Sequence, residues 1–240
     1  MDLDEAKQIA QSINHIGFIM DGNRRWAKKH NLEKTQGHKQ GVENLKEILK
    51  LIKELDIKHA TFYTLSKDNK KKRGEDEYNN LMDLAMTQFD ELEKVLNKDD
   101  SKKAKITILG NYLTLREDVV DKLKQIEHKT KDNKDFYINF CINYDGQDEI
   151  IKATKKLLAE KREPEDINEK EFKNYLYTKN SPAPEIIIRC GNMPRLSGFL
   201  LWDSQYSEIY FSEKMWPEFN KEEFLKVLKW YTKIHRKFGK

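Results

Sequence analysis

Two kinds of hydrophobic pattern alternate along the chain. Short, nearly continuous apolar runs read as buried strands; they fall at His15 to Met20, Ala60 to Leu65, Lys105 to Leu109, Phe136 to Asn143, Ile186 to Arg189 and Glu208 to Phe211. Pro182 and Pro184 bound the fifth run upstream. Between the runs, apolar residues return at helical spacing. Val42, Leu45, Ile48, Leu49, Ile52 and Leu55 predict one helix, and others are expected near Asp76 to Leu96, Leu113 to His128, Asp148 to Lys161 and Lys221 to Lys237. Strands that alternate with helices are joined by right-handed crossovers into a mainly parallel sheet covered on both faces. The expected fold is therefore α/β, built on one mainly parallel six-stranded sheet flanked by helices. The chain shows no internal repeat, low-complexity tract or linker, so residues 1–240 are expected to form a single domain.

Composition narrows the picture. The 45 Lys and Arg are interspersed with 41 Asp and Glu, leaving a net charge of only +4. A dedicated nucleic-acid binder would carry a larger and more clustered basic excess, so nucleic acid is not an expected partner. Cys141 and Cys190 match no metal-ligand spacing and sit in apolar runs, as reduced core thiols do. The first residues, Met1-Asp2-Leu3-Asp4-Glu5, are acidic rather than basic, unlike a secretory signal. No apolar stretch approaches the roughly 20 residues that span a bilayer. A cytoplasmic protein is expected, with membrane association possible through a lipid ligand.

In open parallel sheets ligands bind beyond the carboxyl ends of the strands. Three loops there carry unusual chemistry. The first is Asp21-Gly22-Asn23-Arg24-Arg25-Trp26. Gly22 and Asn23 suit a tight turn, helix-start amides face anions, and Arg24 and Arg25 offer bidentate contacts to phosphate oxygens. Asp21 makes sense beside a phosphate if a divalent cation lies between them. A plain surface turn with a helix cap is the bland alternative. The second loop, Ser66-Lys67-Asp68-Asn69-Lys70-Lys71-Lys72-Arg73, reads either as a solvated basic loop or as a diphosphate clamp. The third, Arg189 to Gly198, brings Arg189, Arg195 and Ser197 together after a buried strand; structural ion pairs are the alternative there. Three anion-ready loops at one sheet edge support one another. His38, in Gly37-His38-Lys39-Gln40-Gly41, precedes the predicted helix and could donate to phosphate or only cap. Glu208 is an acid in an apolar strand, either metal-bound or simply at a sheet edge. The chain lacks the G-x-x-x-x-G-K-[ST], G-x-G-x-x-G and G-x-S-x-G motifs. Its Asp99-Asp100 pair lacks the further aspartate of the helix-borne Asp-rich motif of trans-prenyl synthases.

The run His15-Ile16-Gly17-Phe18-Ile19-Met20-Asp21-Gly22-Asn23-Arg24-Arg25-Trp26-Ala27, followed by Gly37 to Gly41, resembles the cis-prenyltransferases, whose best-known type is undecaprenyl diphosphate synthase. Tyr63 to Asn69, Asn143-Tyr144-Asp145-Gly146, Arg189 to Trp202, Ser207 to Phe211 and Trp216-Pro217-Glu218-Phe219 are similar to that family's later motifs, in order. The resemblance implies a homodimer that condenses isopentenyl diphosphate onto an allylic diphosphate such as farnesyl diphosphate, each addition creating a cis double bond. It implies that Asp21 is catalytic and holds Mg²⁺ with Glu208, and that Asn69 stands at the proton-abstraction position. It places Gly22, Asn23, Arg24, Arg25 and Trp26 around the allylic diphosphate, with His38 close by. Lys34, Ser66, Asp68, Lys70 and Lys72 fall at further substrate-binding positions, and Arg189, Arg195 and Ser197 at the isopentenyl diphosphate. The growing chain needs an apolar tunnel, for which the stripe Leu81, Leu84, Ala85 and Phe89 is a candidate; ordinary helix–sheet core is the other reading of that stripe.

The match departs from the family pattern near the substrate. Cys190-Gly191-Asn192-Met193 stands for Thr-Gly-Gly-Glu, Pro194 for a basic residue, Gly198 for Asn, Lys70 for an aromatic residue, and Lys34 and Lys72 for arginines. The C-terminal Arg-x-Gly is here Lys237-Phe238-Gly239, with Arg236 one place earlier. Lysine keeps the charge of arginine but loses its planar fork. An ordinary long-chain synthase, an enzyme of short-chain or irregular products, and a non-catalytic subunit are all compatible with these changes. Retention of Asp21, Asn69, Arg189, Arg195, Ser197 and Glu208 favours catalysis.

Overall fold

The computed structural model describes residues 2–67, 79, 82, 83, 85, 86, 89, 91 and 103–234. Its strands are β1 (His15–Ile19), β2 (His59–Ser66), β3 (Ala104–Leu109), β4 (Phe136–Tyr144), β5 (Ile186–Arg189) and β6 (Glu208–Phe211). They form one sheet in the order β3-β4-β2-β1-β5-β6, and every neighbouring pair is parallel. The order reverses direction on either side of β1 and β2, the switch point at which open α/β sheets bind ligands. All six expected strands are present, with β5 and β6 at the expected bounds.

The helices are α1 (Leu3–Ala10), α2 (Asn23–Lys29), α3 (Lys34–Glu54), α4 (Glu117–Thr130), α5 (Gly146–Ala159), α6 (Glu169–Lys173) and α7 (Lys221–Tyr231). The helix expected from Val42 begins eight residues earlier, at Lys34. A reciprocal capping box between Glu33 and Gln36 starts it, and its first two turns are too polar to show apolar spacing. His38 therefore lies inside this helix rather than before it. α4 begins at Glu117 rather than Leu113, because Tyr112–Thr114 forms a separate 3-10 turn. α5 begins at Gly146, where the Asp145 carboxylate accepts from the Gln147 and Asp148 amides. The short helices α1, α2 and α6 were not expected from the pattern. The helix foreseen over Asp76 to Leu96 falls largely outside the described residues, although 79, 82, 83, 85, 86, 89 and 91 are helical.

Alternation along the strands divides the core between two sheet faces. One face carries Ile16, Phe18, Ala60, Phe62, Ile138, Phe140, Ile186 and Ile188, packed with buried residues of α3, α4 and α7. On the other, Ile19, Tyr63, Cys141 and Ile187 pack with Phe199 and Leu200. At the amino end of this second face the buried residues turn polar. His15 donates from Nδ1 to the Pro182 carbonyl (2.7 Å), so its Nε2 accepts from the Thr61 hydroxyl (2.8 Å). Asn139 Nδ2 donates to Thr61 and to Ser181, each at 3.0 Å. Burial holds His15 neutral by lowering its pKa to about 3, and it lowers that of His59 to about 4. The His59 ring stacks on Tyr137.

The β2–β4 ladder is irregular near its carboxyl end. Tyr63 is level with Cys141, Leu65 with Ile142, and Ser66 with Tyr144. Thr64 is thus one residue too many on β2 and Asn143, at φ +48°, one too many on β4.

Candidate active site

Asp21 follows the carboxyl end of β1. Its backbone is fixed from two sides: its N–H donates to the Ile19 carbonyl (3.0 Å), and its carbonyl accepts from the Trp216 N–H (2.9 Å). Gly22 turns the chain into α2 at φ +110°, where a Cβ would come within 2.7 Å of the Met215 side chain, so both conformation and space require glycine. α2 then carries Asn23, Arg24, Arg25 and Trp26 away from the sheet edge.

Arg189, the last residue of β5, is 4% exposed. Its Nη2 reaches Asp21 Oδ2 at 2.9 Å, and its Nη1 donates to Ser197 Oγ (2.7 Å) and to the Arg195 carbonyl. Arg25 approaches the other carboxylate oxygen, with Nη2 3.3 Å from Oδ1, while its Nη1 donates to the Gly191 carbonyl (2.8 Å). Asp21 is therefore gripped by one arginine on each oxygen. The structure brings the first and third loops into one cluster, in which the Arg25 and Arg189 guanidinium groups outweigh a single carboxylate; Arg24 and Arg195 are exposed. Such a cluster attracts anions. Two buried polar atoms there, Arg189 Nε and Asn23 Oδ1, have no hydrogen-bond partner. Buried groups of this kind are costly unless a ligand or water completes them.

Beside this cluster opens a cavity of about 140 Å³. Asn23 and His38 line its polar side. Met20, Val42, Leu45, Leu65, Ala85, Phe89, Leu115, Val119, Phe140, Ile142 and Trp216 make most of the rest apolar, with Thr64 among them. Ala85 and Phe89 of the expected tunnel stripe are among its walls; the Leu81 and Leu84 side chains lie outside the described residues. Trp216 joins cavity to cluster. Its ring donates from Nε1 to the Gly41 carbonyl (2.6 Å), its carbonyl accepts from Asn44 Nδ2 (2.6 Å), and its N–H holds Asp21. Sequence reasoning missed most of the wall, which comes from seven segments distant in the chain. It noted Trp216 only as part of a motif.

The remaining expected residues divide. Ser66 ends β2, half-buried, and the neighbouring Lys67 Nζ pairs with Asp148 at 2.5 Å. Lys34 opens α3, exposed. Asp68, Asn69, Lys70 and Lys72, and Arg236 to Gly239, lie outside the described residues. Glu208 is not brought to Asp21. It opens β6 level with Ile186, which is level with Ile16, whereas Asp21 lies beyond the other end of β1. At about 3.3 Å per residue the two stand roughly 16 Å apart along the strand direction, and two strands apart across it. The expected Asp21–Glu208 metal pair is therefore not formed within one chain. Among the described residues, no three His, Cys, Asp or Glu side chains gather as a metal cage. The Asp21 carboxylate, one-third exposed, still fits Mg²⁺, which takes one or two carboxylates and fills its shell with substrate oxygens and water.

The family described as putative undecaprenyl diphosphate synthase matches residues 19–239. An isoprenyl transferase of Thermotoga maritima is 38% identical over 94% of the chain and 96% of its own length. A tritrans,polycis-undecaprenyl-diphosphate synthase (geranylgeranyl-diphosphate specific) of Thermoplasma volcanium is 37% identical over 99% of the chain and 93% of its own. Among solved structures, lavandulyl diphosphate synthase from Lavandula x intermedia, in complex with dimethylallyl diphosphate, superposes with a TM-score of 0.91 at 29% identity, covering 97% of this chain and all of that one (100%). A probable undecaprenyl diphosphate synthase from Campylobacter jejuni does so with a TM-score of 0.77 at 31% identity, covering 95% and 99%.

Proposed function

The chain belongs to the undecaprenyl diphosphate synthase family and is a prenyltransferase; from that premise we propose that it extends an allylic diphosphate with isopentenyl diphosphate to make a polyprenyl diphosphate. The observation that carries this reading is the junction of the arginine-gripped Asp21 with the apolar cavity. In each cycle the allylic C1–O bond breaks and the diphosphate leaves with the electron pair. C1 then bonds to C4 of isopentenyl diphosphate, and a proton leaves C2, restoring a double bond.

The residues divide this work by charge. Arg24 and Arg25, with the amides that open α2, hold the allylic diphosphate and stabilise the charge that grows on it as it leaves. Arg189, Arg195 and Ser197 hold the diphosphate of the isopentenyl unit. Asp21 is the carboxylate that would hold Mg²⁺, which supplies further charge neutralisation on the leaving group. His38 and Asn23 sit where the diphosphate site gives way to the cavity, and the cavity receives the chain. Phe89, Phe140 and Leu115 keep water from the carbocation-like centre. Lys34, Ser66 and the positions Asp68, Asn69, Lys70 and Lys72 complete the site, with Asn69 at the proton.

The whole chain acts as one domain of a cytoplasmic enzyme; among the described residues no helix is long and apolar enough to cross a membrane. It meets the membrane through its lipid product. The side chains of Tyr206 and Phe211 at the β6 edge, 60% and 38% exposed, support pairing with a second copy. Incubation with farnesyl diphosphate and labelled isopentenyl diphosphate tests the assignment. We expect Mg²⁺-dependent extension, abolished by a chelator, with product length read by mass spectrometry. No extension of farnesyl, geranyl or geranylgeranyl diphosphate by the pure protein would overturn it.

A further inference from the structure

Ser197 has a backbone that its side chain disfavours. It sits in the left-handed region at φ +53°, followed by Gly198 at φ +81°. Such a conformation persists only where the surroundings hold it. Two contacts from outside the loop do so. The Gly146 N–H donates to the Gly198 carbonyl at 2.8 Å. The Tyr63 hydroxyl lies 3.3 Å from the Ser197 carbonyl and 3.1 Å from the Tyr144 carbonyl, so one phenolic proton is shared between two loops. The Tyr63 ring is itself immobilised, 8% exposed, stacked on Phe199 with centroids 5.2 Å apart and set edge-on to Tyr144. What this fixes is the Ser197 hydroxyl, 2.7 Å from Arg189 Nη1. The Asp21 carboxylate also meets Arg189, but the backbone of its loop is held independently of Tyr63, by the Ile19 carbonyl and the Trp216 N–H.

We propose that Tyr63 is a positioning residue that holds Ser197 and Arg189 in the arrangement receiving the isopentenyl diphosphate, and so sets affinity for that substrate but not for the allylic one. The inference rests on the assignment of the Arg189–Ser197 pocket under Proposed function. Tyr63→Phe removes one hydroxyl and keeps the ring stack. Calorimetric titration of the full-length protein with each diphosphate separately, in Mg²⁺ buffer, tests it. Loss of a neutral hydrogen bond is expected to weaken isopentenyl diphosphate binding about 3- to 10-fold. Farnesyl diphosphate binding should stay within about twofold, and in turnover the isopentenyl KM should rise while kcat holds. In a Ser197→Ala background, Tyr63→Phe should add little, because the hydroxyl acts through Ser197. Equal weakening of both ligands would assign Tyr63 to general stability and overturn the proposal, as would unchanged binding of both. A wild-type protein that binds farnesyl but not isopentenyl diphosphate would overturn the pocket assignment itself, and the proposal with it.

Discussion

The same face of the sheet carries a buried polar cluster at each end, and the two are built differently. At the amino end, His15, Thr61, Asn139 and Ser181 satisfy one another and the Pro182 carbonyl. At the carboxyl end, about 13 Å away along β1, Arg189, Asp21 and Ser197 are also bonded, but Arg189 Nε and the nearby Asn23 Oδ1 are left over. A closed network specifies the fold; one with spare donors and acceptors at a strand end can be completed by a ligand or water. His59 is the exception at the amino end: its Nδ1 is unpaired, yet burial keeps the ring neutral and Tyr137 covers it.

The contrast can be broken by mutation at each end. The largest effect is expected for Asp21→Ala, a loss of turnover on the order of 10³-fold or more. Activity surviving in that variant would remove the carboxyl-end cluster from the chemistry. Conversely, His15→Leu strands the Thr61 hydroxyl and the Pro182 carbonyl and should cost about 2–3 kcal/mol of folding stability. Denaturant titration measures that loss, and kcat below the new transition should match wild type. A selective fall in kcat would show that the two ends are not separate in function.

Acid should act on the amino end next. His15 titrates at about 3 when folded and near its ordinary 6.5 when unfolded. The unfolded chain thus binds more protons between those values, and the stability from a neutral buried His15 is complete above pH 6.5 and lost as pH falls toward 3. Glu149, whose carboxyl is pushed up mainly by burial, slopes the other way over part of this window. The informative quantity is therefore the difference in pH slope of Tm between wild type and His15→Leu, expected to be steeper for wild type between pH 6 and about 4. The smallest effect is expected for Met193→Glu, which restores a family acid beside the Arg189 pocket. Altered Mg²⁺ dependence or product length, read by mass spectrometry, would give position 193 a role; identical products would leave it structural.

The architecture was legible because strand-length apolar runs and helical spacing seldom mimic each other. Ile186–Arg189 and Glu208–Phe211 needed no tertiary information to delimit. What escaped were elements fixed by caps rather than by apolar spacing. The Asp2 carboxylate takes the Glu5 amide at 2.8 Å to start α1, and Glu33 with Gln36 starts α3. The candidate anion site could be proposed from the sequence because arginines and glycines follow strands directly. The Glu208 assignment failed within one chain because sequence gives no register, and parallel pairing sets β6 so that its first residue faces the far end of the sheet. The cavity stayed hidden for a related reason: its walls meet only in three dimensions.

Thr64 and Asn143 behave as a bound pair of dislocations in an otherwise regular lattice. Below them and above them β2 and β4 run in the same alignment, since Tyr63 faces Cys141 and Ser66 faces Tyr144. The alignment returns, but the parity of the side chains does not. Leu65 turns to the cavity although Tyr63, two residues before it, lies on the other face; Tyr144 joins Tyr63 although Ile142 does not. Deleting either extra residue alone would put the rest of the ladder out of step. Deleting both would mend the lattice and leave the faces as they are, because Leu65 would then follow Tyr63 directly and Tyr144 would follow Ile142 directly. The two defects can be lost only together, and what would go with them is Thr64 from the cavity lining and the Asn143 amide that donates to the Asn111 carbonyl (2.9 Å) and the Thr114 hydroxyl (3.0 Å).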